Sequence, residues 1–93
     1  MALVSRMVVC SDTTAQRIVG ADNMPHRAIL HNATKSSNEY IYIGGSSAVS
    51  TTNTLHMDPG DTLNLTLRPN DELWAIADPG GLELGVIDIR KND

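Results

Sequence analysis

Short runs of β-branched and aliphatic residues recur along the chain, separated by turn-forming residues. None continues with the 3.6-residue period of an amphipathic helix, and several alternate between apolar and polar positions. The pattern predicts eight strands, at residues 3–9, 16–19, 26–33, 39–44, 52–57, 61–67, 72–77 and 82–90. Many short strands with frequent turns are typical of sandwiches and barrels. We therefore predict an all-β fold: one β-sandwich or jelly-roll-like barrel of seven or eight short antiparallel strands over residues 1–93.

The predicted strands differ in how apolar each face is. In 61–67 the three leucines share one face and the polar residues share the other, which predicts a strand with one dry side. In 39–44 and 72–77 both faces are apolar or amphipathic, which predicts either central positions in the sandwich or a face that meets a partner. The last strand changes phase at Gly85, because its leucines and its later isoleucines, Ile87 and Ile89, fall on opposite faces. We predict a β-bulge at Gly85 that restores a common inward face.

Pro, Gly, Asn and Asp mark the connections between the strands. "DPGD" at 58–61 and "DPGG" at 78–81 predict type II turns, and "RPND" at 68–71 predicts a further turn. "KSSN" at 35–38 predicts a hairpin-like loop between two strands. The segment that starts at Gly44, "GGSSAVSTTN", is too long for a tight hairpin. We therefore predict that it carries the chain from one sheet to the other.

Charge and cysteine content narrow the partners and the compartment. The net charge is −4, and the seven Lys and Arg residues are scattered. Phosphate backbones and anionic membranes both select clustered positive charge, so we predict no direct nucleic-acid binding and no membrane partner. Cys10 is the only cysteine, so no intrachain disulfide can form. The N-terminus lacks the pattern of a secretory signal, which predicts synthesis in a reducing cytoplasm.

Motifs for phosphate binding and catalysis are absent from the sequence. Gly44 and Gly45 lead into β-branched residues instead of a helix, and no Gly-Lys-Ser/Thr follows, so a phosphate loop is not predicted. There is no Gly-x-Ser-x-Gly elbow, and most acidic residues flank Pro, Gly or Asn as turn formers. We predict no catalytic residues, no cofactor and no enzymatic activity.

The histidines give a weak indication of metal binding. His26 and His31 are five residues apart on a predicted strand, so they should point to opposite faces and cannot share a metal unless a bulge intervenes. "HMDPGD" at 56–61 resembles the first metal-binding motif of cupins, but Asp58 stands where that motif has its second histidine. We predict a jelly-roll turn here and no metal site. A degenerate cupin-like metal-binding protein remains the second alternative.

Tyr40 and Tyr42 are two residues apart on one predicted strand and therefore share a face. A pair of this kind can stack on a sugar or anchor an interface. We treat both tyrosines as candidate interface aromatics. Packing within the fold or its oligomer is the favoured interpretation of the pair, and ligand recognition is the alternative.

From about Asn32 to Ile89 the chain resembles a family of small tailed-bacteriophage virion proteins. The resemblance is carried by "YIYIGGSSAVSTTN", "HMDPGDTLNLTL", "DELWAIADPGG" and "LELGVIDI". It implies a capsid decoration (cement) protein that is made in the host cytoplasm and trimerises on the outer surface of the head. The implied partners are the major capsid protein and further copies of the chain. The alternative is a tail- or fibre-associated module that binds host glycans through Tyr40 and Tyr42.

For the decoration role, residues 1–9 are the predicted attachment segment. A flexible end can add a strand to the edge of a neighbouring sheet. We therefore predict an N-terminal arm over 1–9, in which Leu3, Val4, Arg6 and Met7 contact the capsid.

Overall fold

A computed structural model describes residues 2–51 and 55–90, and every regular element in these ranges is a β-strand. The strands are β1 (Ala2–Cys10), β2 (Gln16–Val19), β3 (His26–Asn32), β4 (Tyr40–Gly44), β5 (Leu55–Met57), β6 (Thr62–Leu67), β7 (Leu73–Asp78) and β8 (Leu82–Arg90). Each predicted strand has its counterpart, although residues 52–54 of the fifth prediction lie outside the described residues. Those described ranges hold no helix of the length and hydrophobicity that crossing a membrane would require.

The eight strands form two antiparallel sheets of four. Sheet A has the order β1-β8-β3-β6, and sheet B has the order β2-β7-β4-β5. This order is that of a jelly roll, in which the chain passes back and forth between two packed sheets. The all-β sandwich prediction is therefore confirmed. Strands β4 and β7 both have a neighbour on each side, so their predicted central positions are also confirmed.

Aliphatic side chains from the inner faces of the two sheets form the core. The dry side predicted for β6 is confirmed, because Leu63, Leu65 and Leu67 pack on this core and the residues between them are exposed. With no phenylalanine in the chain, burial of these aliphatic groups supplies the hydrophobic stabilisation of the fold. The fully buried residues with the largest side chains are Ile18, Leu30, Ile41, Met57, Leu84, Val19, Val86, Asn32 and Cys10.

Two of the predicted turns are confirmed by their hydrogen bonds and backbone angles. In the first, Gly60 has φ of 83°, and the Asp61 N–H donates to the Asp58 carbonyl at 3.0 Å, as a type II turn requires. In the second, at 68–71, Asn70 occupies the same left-handed region with φ of 69°. Glycine and asparagine tolerate this region better than other residues, which explains why each turn carries the residue it does.

Three predicted connections are wrong. At 78–81 the positive φ falls on Gly81 and not on Gly80, so the turn is not type II. The 35–38 loop does not close a hairpin, because β3 lies in sheet A and β4 in sheet B. The "GGSSAVSTTN" segment does not cross between sheets, because β4 and β5 are paired neighbours in sheet B. The length and composition of a loop did not show whether it joins two paired strands or passes from one sheet to the other, because the strands themselves determine which strands pair.

The β-bulge predicted at Gly85 is also wrong. Strand β8 pairs without a register shift, and Gly85 lies opposite Met7 of β1 and His31 of β3. Leu82, Leu84 and Val86 therefore face the core, and Ile87 and Ile89 face outward. The isoleucines do not need a bulge to turn them inward. Strand β8 is central in sheet A, so apolar neighbours on β1 and β3 partly cover its outer side.

The segment predicted as an N-terminal arm is placed in sheet A. Residues 2–10 pair with residues 82–90 of β8 along the whole length of β1. Met1 lies outside the described residues. Instead of a free end, the chain therefore presents an edge strand with its side chains held in register.

Charged groups close one end of the sandwich around Arg90 of β8. Its guanidinium contacts the carboxylates of Asp22 at 3.0 Å and Asp88 at 2.9 Å, and donates to the Gly20 carbonyl at 2.7 Å. Burial alone would lower the pKa of Arg90, but its hydrogen bonds to the two carboxylates and their charges raise it. The pKa of Asp22 is lowered, first by the backbone N–H of Met24 and then by Arg90. This network attaches β8 to the loop between β2 and β3.

Candidate functional site

The outer edge of β1 carries most of the exposed large apolar side chains among the described residues. Four of its side chains are more than half exposed: Leu3 at 60%, Val4 at 56%, Met7 at 54% and Val9 at 58%. In the described part of the chain β1 pairs only with β8, so the N–H and C=O groups of alternate residues along its other edge lack a strand partner. Natural edge strands are commonly protected by Lys, Pro, bulges or short length. With nine residues, one Arg and no Pro, β1 has little of that protection.

The four predicted contact residues all lie on β1, on two sides of the sheet. Leu3 and Met7 are opposite Ile89 and Gly85, on the outer face, so they lie on the side away from the core. Val4 and Arg6 are on the opposite side. The guanidinium of Arg6 donates to the backbone carbonyl of Ile18 in β2, which ties the edge of sheet A to sheet B.

The outer face of sheet A continues the apolar surface of β1 across two more strands. Cross-strand pairs place Ile89 beside Leu3, and Ile87 between Ser5 and Ile29. The outward position of Ile87 and Ile89 was not predicted from the sequence. The signal was present in the phase change at Gly85, which was interpreted as a bulge. We call this surface the sheet A face; its members are Leu3, Ser5, Met7, Val9, Glu83, Gly85, Ile87, Ile89, Arg27, Ile29 and His31.

A shallow cavity of about 380 Å³ lies at the centre of the sheet A face. Its floor is Gly85, where the missing side chain leaves a gap between Met7 and His31. A Cβ atom built at Gly85 would lie 3.7 Å from the Cβ of His31, which is an ordinary contact distance. The cavity can therefore accept an apolar side chain from another molecule, and it can also be filled by substitution without distorting the strand.

The second surface is an aromatic cluster on the outer face of sheet B, formed by Tyr40, Tyr42 and His56. The shared face of the two tyrosines is confirmed, since both point away from the buried isoleucines of β4. The His56 ring lies against both, with ring centroids 5.2 Å from Tyr40 and 5.6 Å from Tyr42. Its Nε2 is 3.2 Å from the carboxylate of Asp58. The tyrosines are half-buried and His56 is exposed. Rings of this kind beside a carboxylate combine an apolar platform with hydrogen-bonding groups.

The remaining histidines, His26 and His31, do not share a metal site. His26 is buried at the inner face of β3, and His31 is exposed at the outer face with its Nδ1 3.0 Å from the Thr62 hydroxyl. The prediction of opposite faces is therefore confirmed. No group of three or more His, Cys, Asp or Glu side chains is arranged to hold a metal within residues 2–51 and 55–90. Burial raises the pKa of the Cys10 thiol to about 11, so it is neutral and a poor nucleophile at physiological pH.

No protein-family model matches the chain, and no curated protein is significantly similar to it. The jelly roll itself does not assign a function, because unrelated activities occur on the same fold. Function therefore has to be inferred from the β1 edge, the sheet A face, the aromatic cluster and the motifs in the sequence.

Proposed function

We propose that the protein is a structural virion protein of the capsid decoration type, which binds the outer surface of a phage head and stabilises it. The proposed partner is the major capsid protein, and the role needs neither catalysis nor a cofactor. The motifs between Asn32 and Ile89 that resemble phage virion proteins support this role, as does the small acidic jelly-roll fold. Such a protein acts by binding alone, so its chemistry lies in its exposed surfaces.

The unprotected edge of β1 is the observation that carries the proposal. An extended segment of a capsid subunit can pair with this edge as an additional strand, and its side chains would cover Val4 and its apolar neighbours. Fully burying one such side chain contributes about 1.5–3 kcal/mol. Repetition of this modest contact over many sites on the shell, with more than one edge per oligomer, raises the overall avidity.

The structure changes how this attachment should be tested. Deleting residues 1–9 would also remove Val8 from the core and expose β8, so loss of binding could reflect loss of folding. A point substitution separates the two effects. Val4→Lys places a charge on the β1 edge, and Thr66→Lys places the same charge on β6, at the opposite edge of sheet A.

The assay is occupancy on heads assembled from the major capsid protein of the same phage, measured by co-sedimentation, with thermal melts of the free variants. We expect Val4→Lys to weaken binding about tenfold or more, which corresponds to about 1.4 kcal/mol. Thr66→Lys should bind like the wild type. Wild-type occupancy of the Val4→Lys variant would refute attachment through this edge.

A second candidate function, recognition of host glycans, is favoured by the aromatic cluster. Sugar rings stack on exposed aromatic faces, and the Asp58 carboxylate beside His56 could accept hydrogen bonds from sugar hydroxyls. A glycan array probed with the wild type and with the Tyr40→Ala/Tyr42→Ala variant tests this function. Binding that the double substitution abolishes supports it, and the absence of any glycan signal for the wild type excludes it.

A further inference from the structure

We infer that the sheet A face binds a second copy of this chain, in a face-to-face dimer whose two-fold axis runs across the strands. This inference concerns self-association and does not depend on the proposed attachment to a capsid. It rests on three properties of the face: the spacing of its large and small side chains, the placement of its charges, and its area.

The register of β1, β8 and β3 arranges the face in four rows across the strands. Neighbours within a row are cross-strand partners, and each row is two residues further along the strands. The rows, each written from β1 to β3, are Leu3-Ile89-Arg27, then Ser5-Ile87-Ile29, then Met7-Gly85-His31, and finally Val9-Glu83.

A two-fold axis between the second and third rows makes the face complementary to itself. This rotation reverses the order of the rows but leaves each strand facing the same strand of the second copy. Ile87 of one copy then faces the cavity over Gly85 of the other, and Ser5 faces Met7. A large side chain therefore meets a small one on β8 and on β1, whereas on β3 two larger side chains, Ile29 and His31, face each other. Each pair occurs twice, as expected for an isologous interface.

The charges of the face follow the same symmetry. Arg27 lies in the first row and Glu83 in the last, so the rotation places Glu83 of one copy opposite Ile89 of the other and one strand away from its Arg27. The two residues are on adjacent strands, about 4.8 Å apart sideways, which the long arginine side chain can span. Within one copy they are separated by about 20 Å, because six residues at about 3.3 Å each lie between the two rows. They can therefore pair only between copies.

The area of the face is sufficient for a weak dimer. Three strands about 4.8 Å apart and about 30 Å long cover roughly 430 Å² per copy, or about 860 Å² for the pair. Stable specific interfaces bury about 1,200–2,000 Å² in total, so the expected dimer falls below that range, among weak and transient contacts, and should depend on concentration. The homotrimer implied by the phage resemblance would instead need two different contact surfaces on each copy.

One consequence links the dimer to attachment. Because the axis leaves each strand over its counterpart, the two free β1 edges lie on the same side of the dimer. If β1 binds the capsid, as proposed above, the dimer offers two edges to one surface. This consequence rests on the proposed function, whereas the dimer does not.

Analytical ultracentrifugation of the full chain over a range of concentrations tests the inference. We expect the mass to rise from 10.0 kDa toward twice that value. Arg27→Glu and Glu83→Arg should each weaken the dimer at least tenfold, and the double variant should recover most of the loss. Gly85→Leu fills the cavity and should abolish the dimer while the melting temperature stays near that of the wild type.

The charge exchange keeps the test decisive if Gly85→Leu fails to fold, because both charged residues are exposed. A monomer at all concentrations, or a mass of three chains, would overturn the inference. A dimer that is unaffected by the single charge variants, or that is not recovered in the double variant, would show that a different surface is used and would overturn it as well.

Discussion

Asn32 at the end of β3 is the polar side chain on which the packing of the two sheets most depends. It is completely buried. Its amide group donates to the carbonyls of Glu39 at 3.1 Å and Met57 at 3.0 Å, and its Oδ1 accepts from the N–H and hydroxyl of Thr34 at 3.1 and 2.8 Å. The donations join sheet A to β5 of sheet B and to the residue before β4. We expect Asn32→Asp to be strongly destabilising.

The magnitude follows from the groups that lose their partners. The substitution preserves shape but replaces the donating NH₂ with an oxygen, which leaves the Glu39 and Met57 carbonyls facing another acceptor. Each unsatisfied buried group costs about 1–3 kcal/mol, so the two together predict a loss of about 2–6 kcal/mol. Domains of this size are stable by about 5–15 kcal/mol, so the loss would remove much of the free energy of unfolding.

The loss should also depend on pH. Burial and two facing carbonyls raise the folded-state pKa of the introduced carboxyl above its unfolded value of about 3.9. At pH values above this unfolded pKa, the unfolded state then binds fewer protons than the folded state. Stability of Asn32→Asp relative to the wild type should therefore fall by about 1.4 kcal/mol per pH unit, from about pH 4 up to the folded pKa.

Urea unfolding followed by Trp74 fluorescence, at pH 4 and at pH 7, measures both effects, because Trp74 is the only tryptophan. Asn64→Asp is the matched control, since Asn64 is exposed on β6 and should change stability by less than about 0.5 kcal/mol. A penalty for Asn32→Asp below about 1 kcal/mol at pH 7, or one that is the same at both pH values, would refute the reasoning.

Three further predictions concern charge, burial and backbone angle. The pKa of Asp22 is lowered on folding, so this carboxylate contributes stability at pH values above its ordinary pKa of 3.8 and that stability is lost as the pH falls through the lower folded pKa. Acid unfolding curves should therefore be less steep for Asp22→Asn than for the wild type. Cys10 should react with iodoacetamide at pH 8 far more slowly than in urea, and equal rates would contradict its burial. Gly60→Ala should cost about 1 kcal/mol in urea unfolding because its φ is 83°, whereas Gly45→Ala should be nearly neutral.

Local patterns predicted much of the sheet architecture. The alternation of leucines identified β6 and its dry side, and the apolar faces of β4 and β7 indicated their central positions, because burial acts on each strand through its own side chains. The Asp-Pro-Gly-Asp turn was equally local, since only a glycine readily takes the φ of Gly60. The shared face of Tyr40 and Tyr42 followed from the two-residue period of any strand.

The tertiary structure decided what depends on pairing between distant strands. Whether a loop crosses between sheets, whether residues 2–10 form an arm or an edge strand, and whether Ile87 faces the core were all set by the partners of each strand. The burial of Asn32 depends in the same way on acceptors 7 and 25 residues away. The sequence by itself determined the strands and the faces of β4, β6 and β7, since these depend on neighbours along the chain. The sheet A face and the β1 edge exist only because β8 lies between β1 and β3, a choice made by long-range pairing.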